Sequence, residues 1–306
     1  MTETPIGSPV IAVVGLTGTG KTQLAIDLAE RFDGEIIGAD SRQVYRHLDI
    51  GTAKPTPQER AHVPHHCIDH VDPTERYHLG RFLREARAAI DEIRGRGKIP
   101  IIVGGTGQYI WALLEGWSVP EVEPDLDFRD RMTALALSNG PVALHERLAE
   151  VDPVAARRID ARNVRRVIRA LEVQARTGRP ISAWHDDRDP IPAIIVAPAY
   201  DLVDLDDQIN ARVDQMIVDG LVEETRALID AGLGPAAPGL ESIGYREVVQ
   251  HFAGESSWEM AIEEIKLASR QLARAQAKWF RLDDECIRWC NDAATARVHI
   301  REALGA

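Results

Sequence analysis

A glycine-rich loop, GLTGTGKT at residues 15–22, constrains the fold more than any other feature of the chain. The apolar run VIAVV precedes it at residues 10–14, and the segment that follows, residues 21–32, has the apolar spacing of a helix. The loop matches G-x-x-x-x-G-K-[ST], a pattern whose backbone amides, lysine and hydroxyl surround phosphate oxygens when it joins a strand to a helix. We therefore predict a strand, a phosphate-binding loop and a helix here. An unliganded glycine-rich turn is the alternative that this context disfavours.

Apolar strands and amphipathic helices continue to alternate along the chain. This alternation predicts an α/β fold, in which a parallel sheet is flanked by helices. Predicted strands cover residues 10–14, 34–40, 99–105, 193–200 and 286–290, and predicted helices include residues 21–32, 80–97 and 257–282. The segment between the third and fourth strands is instead helical and rich in arginine. We expect a core of residues 1–120 and 190–306, interrupted by an inserted all-helical domain of residues 121–189.

The composition of the 306-residue chain is that of a globular protein. Hydrophobic residues make up 44% of it, and no stretch reaches the roughly 18 consecutive apolar residues of a membrane span. The N-terminal residues lack the basic start and the cleavage site of a signal peptide. Three cysteines, Cys67, Cys286 and Cys290, show neither disulfide-framework nor zinc-type spacing, so we expect reduced thiols. These features predict a cytoplasmic protein without a membrane anchor, and we expect a monomer.

Charge is segregated along the chain, so the formal net charge of −12 is a poor guide to its partners. Residues 157–179 hold eight arginines against Asp160 and Glu172, a local net charge of +6. Residues 201–230, by contrast, hold nine acidic side chains against two arginines. The arginine-rich segment predicts a surface for nucleic acid, because phosphates are attracted to such clusters. Solvated helix faces with local ion pairs are the alternative.

The glycine-rich loop recognises a diphosphate rather than an adenosine. An ATPase or a kinase usually adds an apolar strand that ends in aspartate and holds magnesium. Here the strand IPIIVGG is followed by Thr106, and no carboxylate stands at its end. The strand GEIIGAD does end in one, Asp40, at the edge of a parallel sheet where ligands bind. Asp40 is a candidate magnesium ligand or proton acceptor, and a turn cap beside Ser41 is the alternative.

Seven segments, in order and covering about residues 10 to 281, resemble those of the bacterial tRNA dimethylallyltransferases. They are GLTGTGKT, GADSRQVYRHLDIGTAKP (38–55), HHCID (65–69), VGGTGQYI (103–110), RVIRALEV (166–173), SIGYREV (242–248) and ASRQLARAQAKWFR (268–281). Members of that family transfer a dimethylallyl group from its diphosphate to the exocyclic amine of the adenine immediately 3′ of the anticodon, and they need magnesium. The resemblance implies the P-loop NTPase-like form of the parallel sheet.

The resemblance also implies roles for individual residues. The attacking amine would give its proton to Asp40, Thr106 would lie near the reacting centre, and Arg212 would reach the diphosphate. Without the resemblance, Arg212 is more simply a salt-bridge partner in an acidic helix. Magnesium would bind the Thr22 hydroxyl. The residues expected to hold the diphosphate are Gly15, Leu16, Thr17, Gly18, Thr19, Gly20, Lys21 and Thr22.

The anticodon stem-loop of tRNA is the expected macromolecular partner. The spacing of the arginines from 158 to 169 predicts one basic helix face, and Lys266, Arg270, Arg274, Lys278 and Arg281 repeat it in the last long helix. Such faces position the nucleic acid through its phosphates, and the target base would leave its stack to reach the donor. The residues predicted to contact tRNA are Asp40, Ser41, Arg42, Gln43, Arg129, Arg158, Arg162, Arg165, Arg166, Arg169, Arg274 and Lys278.

Two features of the sequence leave alternatives open. The His, Cys and Asp residues between His62 and His70 are typical of a metal site, but zinc ligands are usually more regularly spaced. The resemblance of HHCID to the family implies a positional role near the active site instead. The chain also departs from the family pattern at Leu16 and Thr19, where Pro and Ser are common. Gly107 and Gln108 replace larger apolar residues, which predicts an altered prenyl pocket.

Three other functions share part of this pattern. A small-molecule kinase would use the same loop but has no need of the arginine-rich insertion. An isopentenyltransferase acting on free adenine nucleotides would share the donor chemistry and also lack that need. A non-catalytic RNA-binding module would bind tRNA without consuming a prenyl donor.

Overall fold

The computed structural model describes residues 8–120, 122–184 and 189–305. Six strands of these residues form one sheet, whose neighbours all pair in parallel in the order β3-β2-β4-β1-β5-β6. The strands are β1 Val10–Val14, β2 Gly34–Gly38, β3 His65–His66, β4 Ile99–Gly104, β5 Ala193–Pro198 and β6 Ile287–Cys290. The five predicted strands are confirmed to within two residues at each end. The sequence did not predict β3, because two residues are too few to show a period.

Thirteen α-helices accompany the sheet in the described residues. They are α1 Lys21–Arg31, α2 Pro57–His62, α3 Leu79–Gly95, α4 Gly107–Leu114, α5 Leu126–Asn139, α6 Pro141–Val151, α7 Pro153–Arg158, α8 Val164–Thr177, α9 Leu202–Val218, α10 Leu221–Asp230, α11 Tyr245–Phe252, α12 Trp258–Ala277 and α13 Ala293–Leu304. Short 3₁₀ segments occur at Ile181–Trp184 and Pro238–Glu241. No helix of the described residues is long and apolar enough to cross a membrane.

The central strand β1 is completely buried, as its uninterrupted apolar sequence requires. Ile11 and Val13 lie on the side of the sheet where α1 and α13 pack, in one cluster with residues of β2, β4 and β5. Helix α3 contacts β2 and β4. Because the sheet is parallel, the carboxyl ends of its strands share one edge, and this edge carries the candidate site.

The chain divides into two compact units, one of Met1–Leu114 and Ile191–Ala306 and the other of Glu115–Pro190. The first unit contains the sheet. The second contains α5 to α8, which enclose a core of their own around Leu144, Leu148 and Val167. The segment predicted to be inserted, residues 121–189, falls inside this second unit.

The single basic helix face predicted from residue 158 to residue 169 is wrong. Helix α7 ends at Arg158 and α8 begins at Val164, so the chain turns between them. Asn163 accepts a hydrogen bond from the backbone N–H of Arg166, and Asp160 accepts one from the N–H of Arg162. Short polar side chains that bind nearby backbone groups in this way favour turns and helix starts over a continuous helix.

The last long helix is also shorter than predicted. Helix α12 ends at Ala277, with Lys278 as its C-cap residue. The predicted basic stripe therefore extends beyond the helix, and Arg281 lies in the following turn, where it pairs with Asp283 at 2.6 Å.

Candidate active site

Three neighbouring strands end at one cavity of about 720 Å³. The glycine-rich loop follows β1, Thr106 follows β4, and Asp40 follows β2, which are adjacent in the sheet. All three line the cavity, and Arg212 of α9 lines it as well. The structure thus brings together, from four separate segments, the three residues predicted to be catalytic and the loop predicted to bind the diphosphate.

The loop has the backbone geometry of an anion site. Gly18 and Gly20 have φ angles of 88° and 82°, in the left-handed region that favours glycine. A Cβ at Gly18 would also lie 3.1 Å from Leu205 of α9, so the loop and this helix pack closely. No side chain caps the N-terminus of α1, which leaves its first N–H groups facing the loop. Such free N–H groups and the helix dipole favour a bound phosphate.

Lys21 folds back over the loop. Its ammonium group donates a hydrogen bond to the carbonyl of Leu16, and the Thr19 hydroxyl donates to the same oxygen at 2.9 Å. Burial lowers the pKa of Lys21 to about 7, with a further decrease from Arg212 and an opposing increase from Asp40. A bound anion would favour the charged form of this ammonium and so oppose the decrease in its pKa.

Asp40 forms a turn and still offers an oxygen to the cavity. Its Oδ1 accepts hydrogen bonds from the backbone N–H groups of Arg42 at 2.8 Å and Gln43 at 3.3 Å. Its Oδ2 has no hydrogen-bond partner within the part of the chain that the structure describes. The turn-cap interpretation is therefore correct for Oδ1. The role of Asp40 as proton acceptor or magnesium ligand stays a prediction, for which Oδ2 is the oxygen left over. Thr106 stands beside it, with its Oγ1 accepting from the N–H of Ser41 at 3.3 Å.

Arg212 of α9 also contacts the loop. Its Nη1 lies 3.4 Å from the Thr17 hydroxyl, to which it donates. Burial lowers the pKa of Arg212, and the nearby Asp40 carboxylate opposes this decrease. Apolar residues of α9 and α12 form the wall beyond it, among them Val213 and Ile265.

The end of β4 has no room for a side chain. A Cβ at Gly104 would lie 2.1 Å from the carbonyl oxygen of Ala39, at the end of β2. The close approach of these two backbones explains physically why the strand ends in glycine and not in a carboxylate.

Sequence reasoning missed two polar residues of the cavity, Gln276 and Arg246. The Oε1 atom of Gln276 accepts a hydrogen bond from the backbone N–H of Thr17 at 2.8 Å. Arg246 lines the cavity and pairs with the buried Glu247. Both lie in segments that carry the family resemblance, ASRQLARAQAKWFR and SIGYREV, which is the signal that could have found them.

The DIGTAKP segment, residues 49–55, is fixed by hydrogen bonds to other parts of the chain. Lys54 is buried and donates to Tyr45 O, Asp49 Oδ1 and Asp69 Oδ1 at 2.6 to 2.7 Å. The Tyr245 hydroxyl accepts from the N–H of Gly51 at 3.0 Å. This last contact joins the segment to SIGYREV, and both segments line the cavity.

Two side chains of the DSRQ segment, residues 40–43, donate hydrogen bonds to backbone carbonyls elsewhere in the protein. Arg42 donates to the carbonyl of Pro238 at 3.2 Å, and the Gln43 amide donates to the carbonyls of Thr52 and Ala53 at 3.1 and 3.0 Å. Both residues also line the cavity, so these bonds do not exclude contact with a nucleotide. That contact stays a prediction.

Two arginines predicted to contact tRNA are paired inside the second unit. Glu172 is fully buried, and Arg129 binds it through two N–H groups at 2.8 Å each. Arg169 donates to the same carboxylate at 2.6 Å. Burial raises the pKa of Glu172, but hydrogen bonds from Arg129 and Arg169 outweigh it and hold that pKa below its usual value. Both arginines thus stabilise this unit.

The other four arginines of this unit that were predicted to contact tRNA are exposed. Arg158, Arg165 and Arg166 are turned to solvent. Arg162 is exposed as well and pairs with Asp160 at 2.7 Å. These four remain available to a polyanion.

The basic side chains of α12 mostly pair with α9. Lys266 binds Asp214 at 2.7 Å, and Arg274 binds Asp206 through two hydrogen bonds at 2.9 and 2.7 Å. Arg270 donates to Asn210, 60 residues away in sequence. The sequence could not predict these pairings, because they join two helices that are distant along the chain. Lys278 remains exposed.

The histidine-rich segment is held by separate partners. Asp69 binds Lys54 and Arg60 at 2.7 Å each. Within the described residues, no group of three or more His, Cys, Asp or Glu is placed to hold a metal ion. The histidines bond to the carbonyl of Val63 (His65), to Glu35 (His66) and to Glu85 (His70).

Gly107 faces an aromatic ring and not the cavity. A Cβ there would lie 2.2 Å from Cγ of Trp279, so the indole fills the space that a larger side chain would need. Neither Gly107 nor Gln108 is among the residues lining the cavity. Any effect of this departure on the prenyl pocket would be indirect, through Trp279.

The model of one protein family, IPP transferase, matches residues 43–283. The chain belongs to the IPP transferase family. A second model, isopentenyl transferase, matches residues 8–69, which contain the loop and Asp40. The match to the IPP transferase family thus extends from the DSRQ segment to just beyond the end of α12.

Members of the IPP transferase family are similar to this chain along most of their length. The tRNA dimethylallyltransferase of Chloroflexus aurantiacus is 47% identical over 273 residues, which cover 89% of this chain and 92% of that protein. That of Roseiflexus castenholzii is 48% identical over 277 residues, covering 89% and 90%.

Solved structures of the family share the P-loop NTPase-like fold seen here. The tRNA isopentenylpyrophosphate transferase of Bacillus halodurans superposes with a TM-score of 0.69 at 38% identity, covering 96% of this chain and 95% of that one. A eukaryotic dimethylallyltransferase captured acting on tRNA superposes with a TM-score of 0.76 at 32% identity, over 89% of this chain and 69% of that one.

Proposed function

We propose that this protein transfers the dimethylallyl group of dimethylallyl diphosphate to the exocyclic amine of the adenine 3′ of the anticodon in tRNA. The observation that carries the proposal is one cavity lined by the glycine-rich loop with Lys21, by Asp40 and by Arg212. Asp40 has one carboxylate oxygen outside its turn, and Arg212 is a second cation beside the loop. Family membership supports the same reaction. The proposal includes a monomeric enzyme of the cytoplasm.

The allylic substrate already contains its leaving group, so the site needs only to stabilise a departing anion and hold an amine. In the reaction, the bond between the allylic carbon and the diphosphate oxygen breaks, and its electron pair leaves with the diphosphate. The loop amides, Lys21 and Arg212 surround the place where this negative charge develops. Donors that are fixed before the reaction stabilise such charge without reorganisation.

The amine nitrogen forms the new bond to carbon and must lose a proton. Oδ2 of Asp40 is the acceptor in this proposal, because Oδ1 is occupied by the turn. Thr106 adjoins Asp40 through Ser41, and its hydroxyl is placed to orient the amine. A positioned general base contributes about a hundredfold or more to rate.

Magnesium fits the residues present. Thr22 lines the cavity and offers a hydroxyl oxygen, the type of donor that magnesium prefers, beside a loop built for phosphate. Thr22 would hold the ion together with the substrate's own phosphate oxygens. When bound, the ion would neutralise charge on the diphosphate. The five-carbon group would lie against the apolar residues of α9 and α12.

The test is a product analysis with paired donors and acceptors. The purified protein is incubated with magnesium, unmodified tRNA transcript and dimethylallyl diphosphate, and the digested nucleosides are analysed by mass spectrometry. We expect one dimethylallyl group on adenosine from tRNA. Parallel reactions use AMP as acceptor and ATP as donor. Modification of AMP alone would indicate a nucleotide isopentenyltransferase, and consumption of ATP alone would indicate a kinase.

A further inference from the structure

The peptide group between Leu16 and Thr17 is held from both ends. Its carbonyl oxygen accepts hydrogen bonds from Lys21 and from the Thr19 hydroxyl, inside the loop. Its N–H points the opposite way, as a trans peptide requires, and donates to Gln276 at 2.8 Å. The orientation of the carbonyl that binds Lys21 is therefore coupled to a side chain 259 residues away in sequence.

The side chain of Gln276 reaches the loop because Gly105, which lies next to it in space, has no side chain. The side chain of Gln276 is 8% exposed, near the end of α12. A Cβ at Gly105 would lie 2.2 Å from its Nε2, and the next nearest atom outside Gln276 is Gly15 O at 3.3 Å. Gly105 thus leaves the space that Gln276 occupies, and Gln276 is the atom group that an added methyl would displace.

Helix α12 holds Gln276 in place. Arg270 and Arg274 pair with Asn210 and Asp206 on α9, the same helix that carries Arg212. The Thr17 residue accordingly receives two contacts from this pair of helices, one from Gln276 to its N–H and one from Arg212 to its hydroxyl.

We propose that Gln276 is a positioning residue, which fixes the peptide between Leu16 and Thr17 so that its carbonyl holds Lys21 over the diphosphate. This inference rests on the proposed function, because it concerns the same diphosphate site. Without Gln276, the partly buried N–H of Thr17 loses its hydrogen-bond partner and the peptide is free to rotate. Rotation would move the carbonyl of Leu16 away from Lys21, and the position of the Lys21 ammonium beside the diphosphate would be less fixed.

The test is a double-mutant cycle between Gln276→Ala and Gly105→Ala, measured by steady-state kinetics. The KM for dimethylallyl diphosphate is determined at saturating tRNA, and the KM for tRNA at saturating dimethylallyl diphosphate. Each single variant is expected to raise the KM for dimethylallyl diphosphate about tenfold, the scale of one lost hydrogen bond. The KM for tRNA and the melting temperature should change little. Gln271→Ala, at an exposed glutamine on the same helix, is the matched control.

The double variant separates positioning from general damage. If Gly105→Ala acts by displacing Gln276, then adding it to Gln276→Ala should cause no further loss. Multiplication of the two effects would overturn the inference, as would single variants that match the wild type, or a parallel rise in both KM values with a lower melting temperature. A wild-type protein that transfers no dimethylallyl group would instead refute the proposed function, and the inference with it.

Discussion

Replacing Asp40 with asparagine changes one atom that the fold does not use. The amide oxygen of the substituted side chain can accept the same hydrogen bonds from the N–H groups of Arg42 and Gln43, so the turn should persist. The altered atom is Oδ2, which has no protein partner in the described part of the chain. An amide nitrogen at that position cannot accept the proton of an attacking amine.

The expected loss in kcat is about a hundredfold or more, the usual contribution of a general base. A hundredfold loss corresponds to about 2.7 kcal/mol of transition-state stabilisation. Diphosphate affinity should not fall, since the substitution removes a negative charge beside the anion. Asp40→Ala would add a structural cost of about 1 kcal/mol, because it also removes the oxygen that closes the turn.

Single-turnover kinetics with saturating tRNA and dimethylallyl diphosphate measure the chemical step, and a tRNA titration at equilibrium measures binding. Asp72→Asn is the matched control, because Asp72 closes a similar turn at Thr74, 2.9 Å from its N–H, away from the cavity. We expect tRNA affinity within about threefold of wild type for both variants. An Asp40→Asn protein that retained more than about a third of the wild-type rate would refute the assignment of Asp40 as the base, since a general base contributes far more.

Three further predictions concern charge. Diphosphate affinity should weaken by up to about tenfold per pH unit above pH 7, because the free Lys21 amine must then take up a proton. Calorimetry across pH tests this, and an unchanged slope in Lys21→Met would contradict it. Glu172→Ala should lower the free energy of unfolding by about 1.5–3 kcal/mol in urea titrations, because it removes the charged hydrogen bonds of two arginines that water can still reach. A change under about 1 kcal/mol would contradict a stabilising role of these bonds. Arg166→Gln should weaken tRNA binding and reduce its salt slope by about one, with kcat unchanged; an unaltered slope would remove Arg166 from the RNA surface.

The sequence predicted the active-site edge because local patterns suffice there. A glycine loop after a buried strand, and Asp40 and Thr106 after two others, must meet once the strands pair in parallel. Arg212 was a weaker prediction from its own segment. Its place opposite Lys21 depends on how α9 packs against the loop.

The arginine stripes show where periodicity misleads. Spacing of three and four residues predicted basic faces on two helices, but one stripe is interrupted by a turn and the other is largely paired with α9. A helical period describes only the residues of one segment. Whether a charged side chain faces solvent or a partner is decided by the element packed beside it.

The sequence by itself determined which loop has the pattern of a phosphate-binding loop, which strand ends in a carboxylate, and which family the chain resembles. Tertiary structure alone decided that Gln276 closes the loop, that Arg129 and Arg169 enclose Glu172, and that Trp279 fills the space beside Gly107. The physical reason is the sequence separation over which each interaction acts, because backbone preferences and motifs depend only on residues a few positions apart. Hydrogen bonds and close packing between distant segments exist only after the chain has folded.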